Sequence, residues 1–219
     1  MSNTHQLSFE YPKWGGARKG AGRKRASARP RVVHESRPRV TRHTPGHVTV
    51  RLIDGLPTLR QGRSHRVLVD AIAACADRSG FRILHYSAMS NHVHLICEAD
   101  DARTLARGIQ GLCVRIARGL HLLWNGSGKV FGDRYHCRPL KTPTEVRNTL
   151  IYVLQNALHH GIEVLGGIDP YSSASWFDGW KRRCPAALEA ALRHCPLARA
   201  RSWLMTLGWR KRGLLPSAA

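Results

Sequence analysis

The chain has 219 residues, with 35 Lys+Arg against 14 Asp+Glu and a formal net charge of +21 at pH 7. So strong a positive balance points to a polyanionic partner, nucleic acid or an anionic membrane, and the hydrophobic fraction of 42% suits one domain of ordinary size with extensions. No apolar run approaches the ~20 residues of a membrane span, residues 1–14 hold no signal-peptide core, and none of the six cysteines forms the Cys-x-x-Cys pair of a zinc ribbon.

Residues 1–45 read as a basic arm. Its densest part runs from Gly15 to Arg25 and carries Arg18, Lys19, Arg23, Lys24 and Arg25 among glycines. Arg29, Arg31, Arg37, Arg39 and Arg42 follow, interrupted by Pro30, Pro38 and Pro45. Such a segment lacks the apolar residues to offset the entropy of ordering and is expected to be disordered in isolation. Its charge suits the tracking of phosphates.

The folded part is expected at 46–161, with a basic, aromatic extension over 162–219. Val48, Val50 and Leu52 alternate with Thr49 and Arg51, the pattern of a half-buried strand. Asp54 to Pro57 is a turn. Residues 60–78 carry Val67, Leu68, Ile72 and Cys75 at helical spacing and end near Gly80. Strands are predicted at 81–88 and again from His92, joined by the tight connection Met89-Ser90-Asn91. A long helix over 102–121 shows Leu105, Ile109, Leu112, Ile116 and Leu120 on one face. A strand over 129–138 follows the Asn125–Gly128 loop. A third helix starts at Pro143, suited to a first helical position, and runs to His160. A weaker helical pattern covers 196–207.

The order is strand, helix, strand, strand, helix, strand, helix. That is an α+β, ferredoxin-like split βαβ pattern with an antiparallel sheet and one added helix. Helices are expected on one face of the sheet, with the other face left open.

Two features stand out against that frame. Alternate side chains on a strand point to opposite faces, so His92 and His94 share one face and Val93, Leu95 and Cys97 share the other. Two neighbouring imidazoles can hold a metal ion or a phosphate. On the third helix, Val146, Leu150, Val153, Leu154 and Ala157 form an apolar stripe. Tyr152 and Asn156, four apart, lie nearly opposite it with Glu145, Asn148, Thr149 and His159. A packing tyrosine belongs on the stripe.

These residues resemble the HUH single-tyrosine transposases, and most closely the REP-associated tyrosine transposases. The resemblance spans residues 15–180. It is carried by the basic lead, Ser90-Asn91-His92-Val93-His94-Leu95, Phe131-Gly132-Asp133-Arg134-Tyr135-His136, Tyr152-Val153-Leu154-Gln155-Asn156 and Asp169-Pro170-Tyr171-Ser172-Ser173. It implies that Tyr152 attacks single-stranded or hairpin DNA, leaving a 5′-phosphotyrosine and a free 3′-OH that a second strand can rejoin. It implies Mg²⁺ or Mn²⁺ held by His92, His94 and the residue four after the tyrosine, Asn156, with Gln155 as the competing assignment. It also implies a bacterial, cytoplasmic and nucleoid-associated protein working as a monomer or homodimer. A reducing compartment agrees with the cysteine usage.

Arg134, His136 and Arg138 share one face of the fourth predicted strand and are candidate DNA contacts, with Arg115, Arg118 and Lys129 adding charge nearby in sequence. Trp176, Phe177, Trp180, Trp203 and Trp209 stand among basic residues, a mixture suited either to base stacking or to packing on the main domain. Glu98 shares the histidine face and reads as a solvated strand-end carboxylate. Two other readings remain: a relative that grips DNA or RNA hairpins without cutting, and a zinc-stabilised basic protein using His92, His94 and a cysteine.

Overall fold

The computed structural model describes residues 39–164, 167–182 and 194–216. The arm residues Arg18, Lys19, Arg23, Lys24 and Arg25, and Cys184, lie outside them. Strand β1 spans Gly46–Arg51, helix α1 Gly62–Ala73, β2 Asp77–Arg78, β3 Phe81–Ala88, β4 His92–Ala99, helix α2 Ala102–Trp124 and β5 His136–Pro139. Helix α3 spans Pro143–Leu154, followed by the single turns α4, Asn156–His159, and α5, Trp203–Thr206. The five strands form one sheet in the order β2-β3-β4-β1-β5, and every pairing is antiparallel.

Local chemistry sets most boundaries. The Asp101 side chain accepts from Thr104 N at 2.6 Å and starts α2, which ends on Asn125 in the left-handed region at φ 49°. Thr142 and Glu145 form a reciprocal capping box around Pro143 at the head of α3. Helix α1 stops at Ala73, short of the expected 78, because Asp77 and Arg78 pair with Arg82 and Phe81 in a hairpin turned by Gly80. The strand expected at 129–138 exists in two pieces. Phe131 bridges Leu52 and Gly132 N donates to Arg51 O, the chain then leaves the sheet, and pairing with β1 resumes at His136.

Helices α1 and α2 cover one face of the sheet. Leu68, Ile72, Leu105, Ile109, Leu112 and Ile116 pack there against Val48, Val50, Val93, Leu95 and Cys97. Contrary to expectation, the second face is covered too. Val146, Leu150, Val153 and Leu154 of α3 form a core with Leu84 and Ile96, together with Phe177, Trp180, Leu204, Met205, Trp209 and Leu215. Phe177, Trp180 and Trp209 are therefore packing residues, whereas Trp203 is 49% exposed. Of the helical pattern over 196–207 only α5 forms, and a 3-10 turn at Gly208–Arg212 follows it.

The segment around α5 straps α3 to the sheet. Glu98, 1% exposed, accepts from Arg82 Nε at 3.1 Å, Arg201 N at 3.0 Å and Ser202 N at 2.8 Å. It is a buried anchor, which corrects the solvated reading. Arg147 donates to the carbonyls of Gly213 and Leu214, and Gln155 Nε2 donates to Pro216 O at 2.8 Å. Glu98→Ala would leave a buried guanidinium and two backbone N–H groups unsatisfied. It is expected to cost roughly 3–5 kcal/mol, as for breaking a buried ion pair from one side. Urea unfolding of the two proteins measures this.

A second strap carries Asp169–Ser173. The Asp169 carboxylate accepts from Arg60 Nη1 and Nη2 at 2.8 and 2.9 Å, Ala88 N donates to Tyr171 O, and Ser173 Oγ accepts from Tyr86 N at 3.0 Å. This stretch therefore braces the end of β3.

Candidate active site

The face of the sheet beneath α3 is polar near the start of β4. In the antiparallel register Thr49 and Ser87 flank His94, Arg51 lies opposite His92, and His136 lies opposite Thr49. The result is a row of imidazoles and hydroxyls across four strands. His92 and His94 sit with ring centroids 4.8 Å apart.

Helix α3 brings Tyr152 onto this row. Its ring centroid lies 5.3 Å from that of His94 and 5.8 Å from that of His47. The other described tyrosines are placed elsewhere. Tyr86 is fully buried, and Tyr135 and Tyr171 pack against the core on the α1–α2 side.

Helix α3 breaks at Gln155, where the expected helix to His160 would have continued. After the break, Asn156 opens the separate turn α4 and is fully buried. The residues four before and four after it lie by the histidines: Tyr152 lies against His94, and the His160 ring lies 6.4 Å from that of His92. Gln155 instead turns outward to Pro216.

The hydrogen bonding leaves a particular set of atoms over. Nδ1 of His92 is 2.9 Å from Asn91 Oδ1, an acceptor, so Nδ1 carries the proton and Nε2 the lone pair. Nδ1 of His94 lies 3.1 Å from both Thr49 Oγ1 and His47 Nε2. These two neighbours can take the proton on Nδ1 and leave the Nε2 lone pair facing the site. Nε2 of His94, and both Oδ1 and Nδ2 of Asn156, are buried and have no hydrogen-bond partner. A buried polar atom without a partner costs roughly 1–3 kcal/mol, and a cation bound by the imidazole nitrogen and the amide oxygen removes that cost for His94 Nε2 and Asn156 Oδ1. The residues therefore fit a divalent ion.

Among the described residues no group of three His, Cys, Asp or Glu is placed to hold a metal. The fitting set is two imidazoles and an amide, which favours a weakly held ion over a closed zinc site. The zinc reading also needs a thiolate. Cys75, Cys97 and Cys137 are buried in the core on the α1–α2 face, and Cys113 packs against it.

Electrostatics keep the imidazoles neutral. Burial, followed by the neighbouring His47, His92 and His160, lowers His94 to about 3. Burial, with His136 and Arg138, lowers His47 to about 4. His92 is lowered by burial, then by His160 and Arg51. Outside the site, burial also brings His65 and His85 down to about 4. A folded-state value below the unfolded one means that the unfolded chain takes up protons first as pH falls. Stability is thus complete above about 6.5, the ordinary histidine value. It should fall between there and about 4, by up to roughly 1.4 kcal/mol per pH unit for each imidazole held neutral. Urea midpoints at pH 7 and pH 5 measure this.

The remaining sequence candidates divide. His136 faces Thr49, and Arg134 joins it in lining a cleft of about 500 Å³ with Arg51, Asp54 and Asp133. Arg138 lies opposite His47 but reaches Glu145 at 3.4 Å. Arg115 and Arg118 lie on α2, across the sheet from His136. His47 and Thr49 were missed by sequence reasoning. Their signal was the alternation of β1, which puts both on the non-core face next to Arg51.

No sequence family and no curated protein matches the chain. A solved structure described as a REP-associated tyrosine transposase bound to a REP hairpin matches with a TM-score of 0.50 and 15% identity. The match covers 64% of this chain and 82% of that one. The α+β architecture with its five-stranded antiparallel sheet is thus the fold of that protein.

Proposed function

We propose that this chain is a metal-dependent nuclease and strand transferase that cuts and rejoins single-stranded or hairpin DNA through Tyr152. The observation that carries the reading is the tyrosine ring over a histidine pair whose inward nitrogen, with the amide of Asn156, is buried without a partner. The fold, shared with a transposase bound to a DNA hairpin, supports it. So does the net charge of +21.

In the proposed step Tyr152 Oη attacks phosphorus and the P–O3′ bond breaks. The phenol loses its proton, the departing 3′ oxygen gains one, and the 5′-phosphate stays esterified to the tyrosine. One phosphodiester replaces another, so no nucleotide cofactor is needed to conserve the bond. Attack by the 3′-OH of another strand reverses the exchange and rejoins DNA. His92, His94 and Asn156 would hold the Mg²⁺ or Mn²⁺, which supplies positive charge that polarises the phosphate. Asn91, Thr49 and His47 orient the two imidazoles, and burial keeps them in the neutral form a ligand needs. Arg134 and His136, beside the site, are the candidate contacts to the incoming strand.

Incubation with labelled single-stranded oligonucleotides carrying palindromes, followed by denaturing electrophoresis, tests the reading. A covalent protein–DNA band is expected. Tight binding to hairpins without that band would favour the alternative, a binding protein that has kept the scaffold and lost the chemistry.

A further inference from the structure

Helices α1 and α2 enclose a groove of about 760 Å³ on the outer surface of the helical layer. Its charged lining is Arg78, Arg107, Arg115 and Arg118 against the single acid Asp70. Arg107, Gly111, Arg115 and Arg118 recur at intervals of four, four and three, so they fall along one face of α2. At a rise of 1.5 Å per residue this stripe is about 16 Å long. Arg78 approaches from the β2 hairpin: a side chain added at Gly111 would come within 3.9 Å of its Nη1. All four arginines are exposed, and among the described residues none makes an ion pair.

Uncompensated surface charge normally attracts a solvated counter-ion and nothing more. Three features go further here. The cations converge on a concavity, every one is the planar guanidinium suited to phosphate oxygens, and the floor is small and apolar. No aromatic side chain lines the groove, so bases have nothing to stack on. That combination recognises a sugar–phosphate backbone and ignores sequence.

We infer that the α1–α2 groove is a second DNA-binding surface, which docks the backbone of a DNA segment other than the one at Tyr152. The two surfaces lie on opposite faces of the sheet: α1 and α2 pack on Val93 and Leu95, and Tyr152 lies on His94. One protein would then hold flanking DNA on the helices while the cleaved strand occupies the tyrosine face. The inference rests on the proposed reading only in taking DNA as the polyanion.

The test uses the full chain and a fluorescent duplex of mixed sequence, with binding measured across KCl concentrations. R107A/R115A/R118A should flatten the log–log salt slope by about 0.9 for each arginine that neutralises a phosphate. It should form the covalent adduct with a short single-stranded oligonucleotide as the wild type does. K181A/R182A/R199A removes the same charge elsewhere and should keep the wild-type slope. An unchanged slope in the first variant overturns the inference, as does an equal drop in both. Loss of binding confined to phosphatidylserine vesicles overturns it in favour of a membrane surface. The slope comparison needs no cleavage, so a wild type without adduct would sink the tyrosine chemistry and leave the groove to be decided by the slopes.

Discussion

Tyr152→Phe is expected to abolish the covalent DNA adduct completely. The change removes the one nucleophilic oxygen and leaves the ring that lies against His94 and His47. The side chain is only partly buried, and its hydroxyl is not among the described buried groups lacking a partner. The stability cost should therefore stay below about 1 kcal/mol. Hairpin binding should persist, because the proposed phosphate contacts belong to other residues. Proteolysis of the wild-type adduct and mass spectrometry should place the nucleotide on Tyr152. Tyr135 is the rival in sequence, yet it packs against the core on the α1–α2 side of the sheet. An adduct formed by the phenylalanine variant, or a nucleotide found on Tyr135, would show that the nucleophile has been misassigned.

Replacing His92 and His94 together by alanine is expected to remove cleavage and spare most DNA binding. Chelation should do the same to the wild type, with activity returning on addition of Mn²⁺ or Mg²⁺. Asn156→Ala should follow the histidine variants, since its amide is buried and unpartnered, whereas Gln155→Ala should not, since that side chain is committed to Pro216. Mn²⁺ titration followed by calorimetry separates loss of the ion from loss of fold: affinity should vanish in the His92/His94 variant and survive in Gln155→Ala. Full cleavage by the wild type in excess chelator would refute a metal-dependent step.

Where local pattern decides the structure, the sequence was legible. Strand β3 runs from Phe81 to Ala88 and β4 starts at His92, both with the bounds expected from the sequence. The apolar stripe of α2 is buried residue for residue, from Leu105 to Leu120. The period of 2.0 put His92 and His94 on one face, but their pairing with Tyr152 came from the family resemblance. The 3.6 period set Tyr152 and Asn156 opposite the apolar stripe, whereas Tyr152 packs against the same core as that stripe and Asn156 is buried beyond the break at Gln155. Three further things were not legible. The break at Gln155 has no glycine or proline to announce it. Glu98 reads as a strand-end carboxylate because its partners, the backbone N–H groups of Arg201 and Ser202, carry no sequence signal. The cover over the second face comes from aromatic residues in irregular segments, whose burial no helical or strand period can report.

The strap that fastens the tyrosine helix has a consequence for the order of events in folding. Glu98 meets Arg201 and Ser202 across 103 and 104 residues of chain, and Gln155 meets Pro216 across 61. Closures of that length carry the largest entropic delay. The histidine hairpin β3–β4 is by comparison local and can form early. A chain still emerging from the ribosome, or refolding from denaturant, is therefore expected to display the imidazole pair before α3, which carries Tyr152, is locked down. On the proposed function, reactivity toward DNA would arrive only once residues 201–216 have closed over α3.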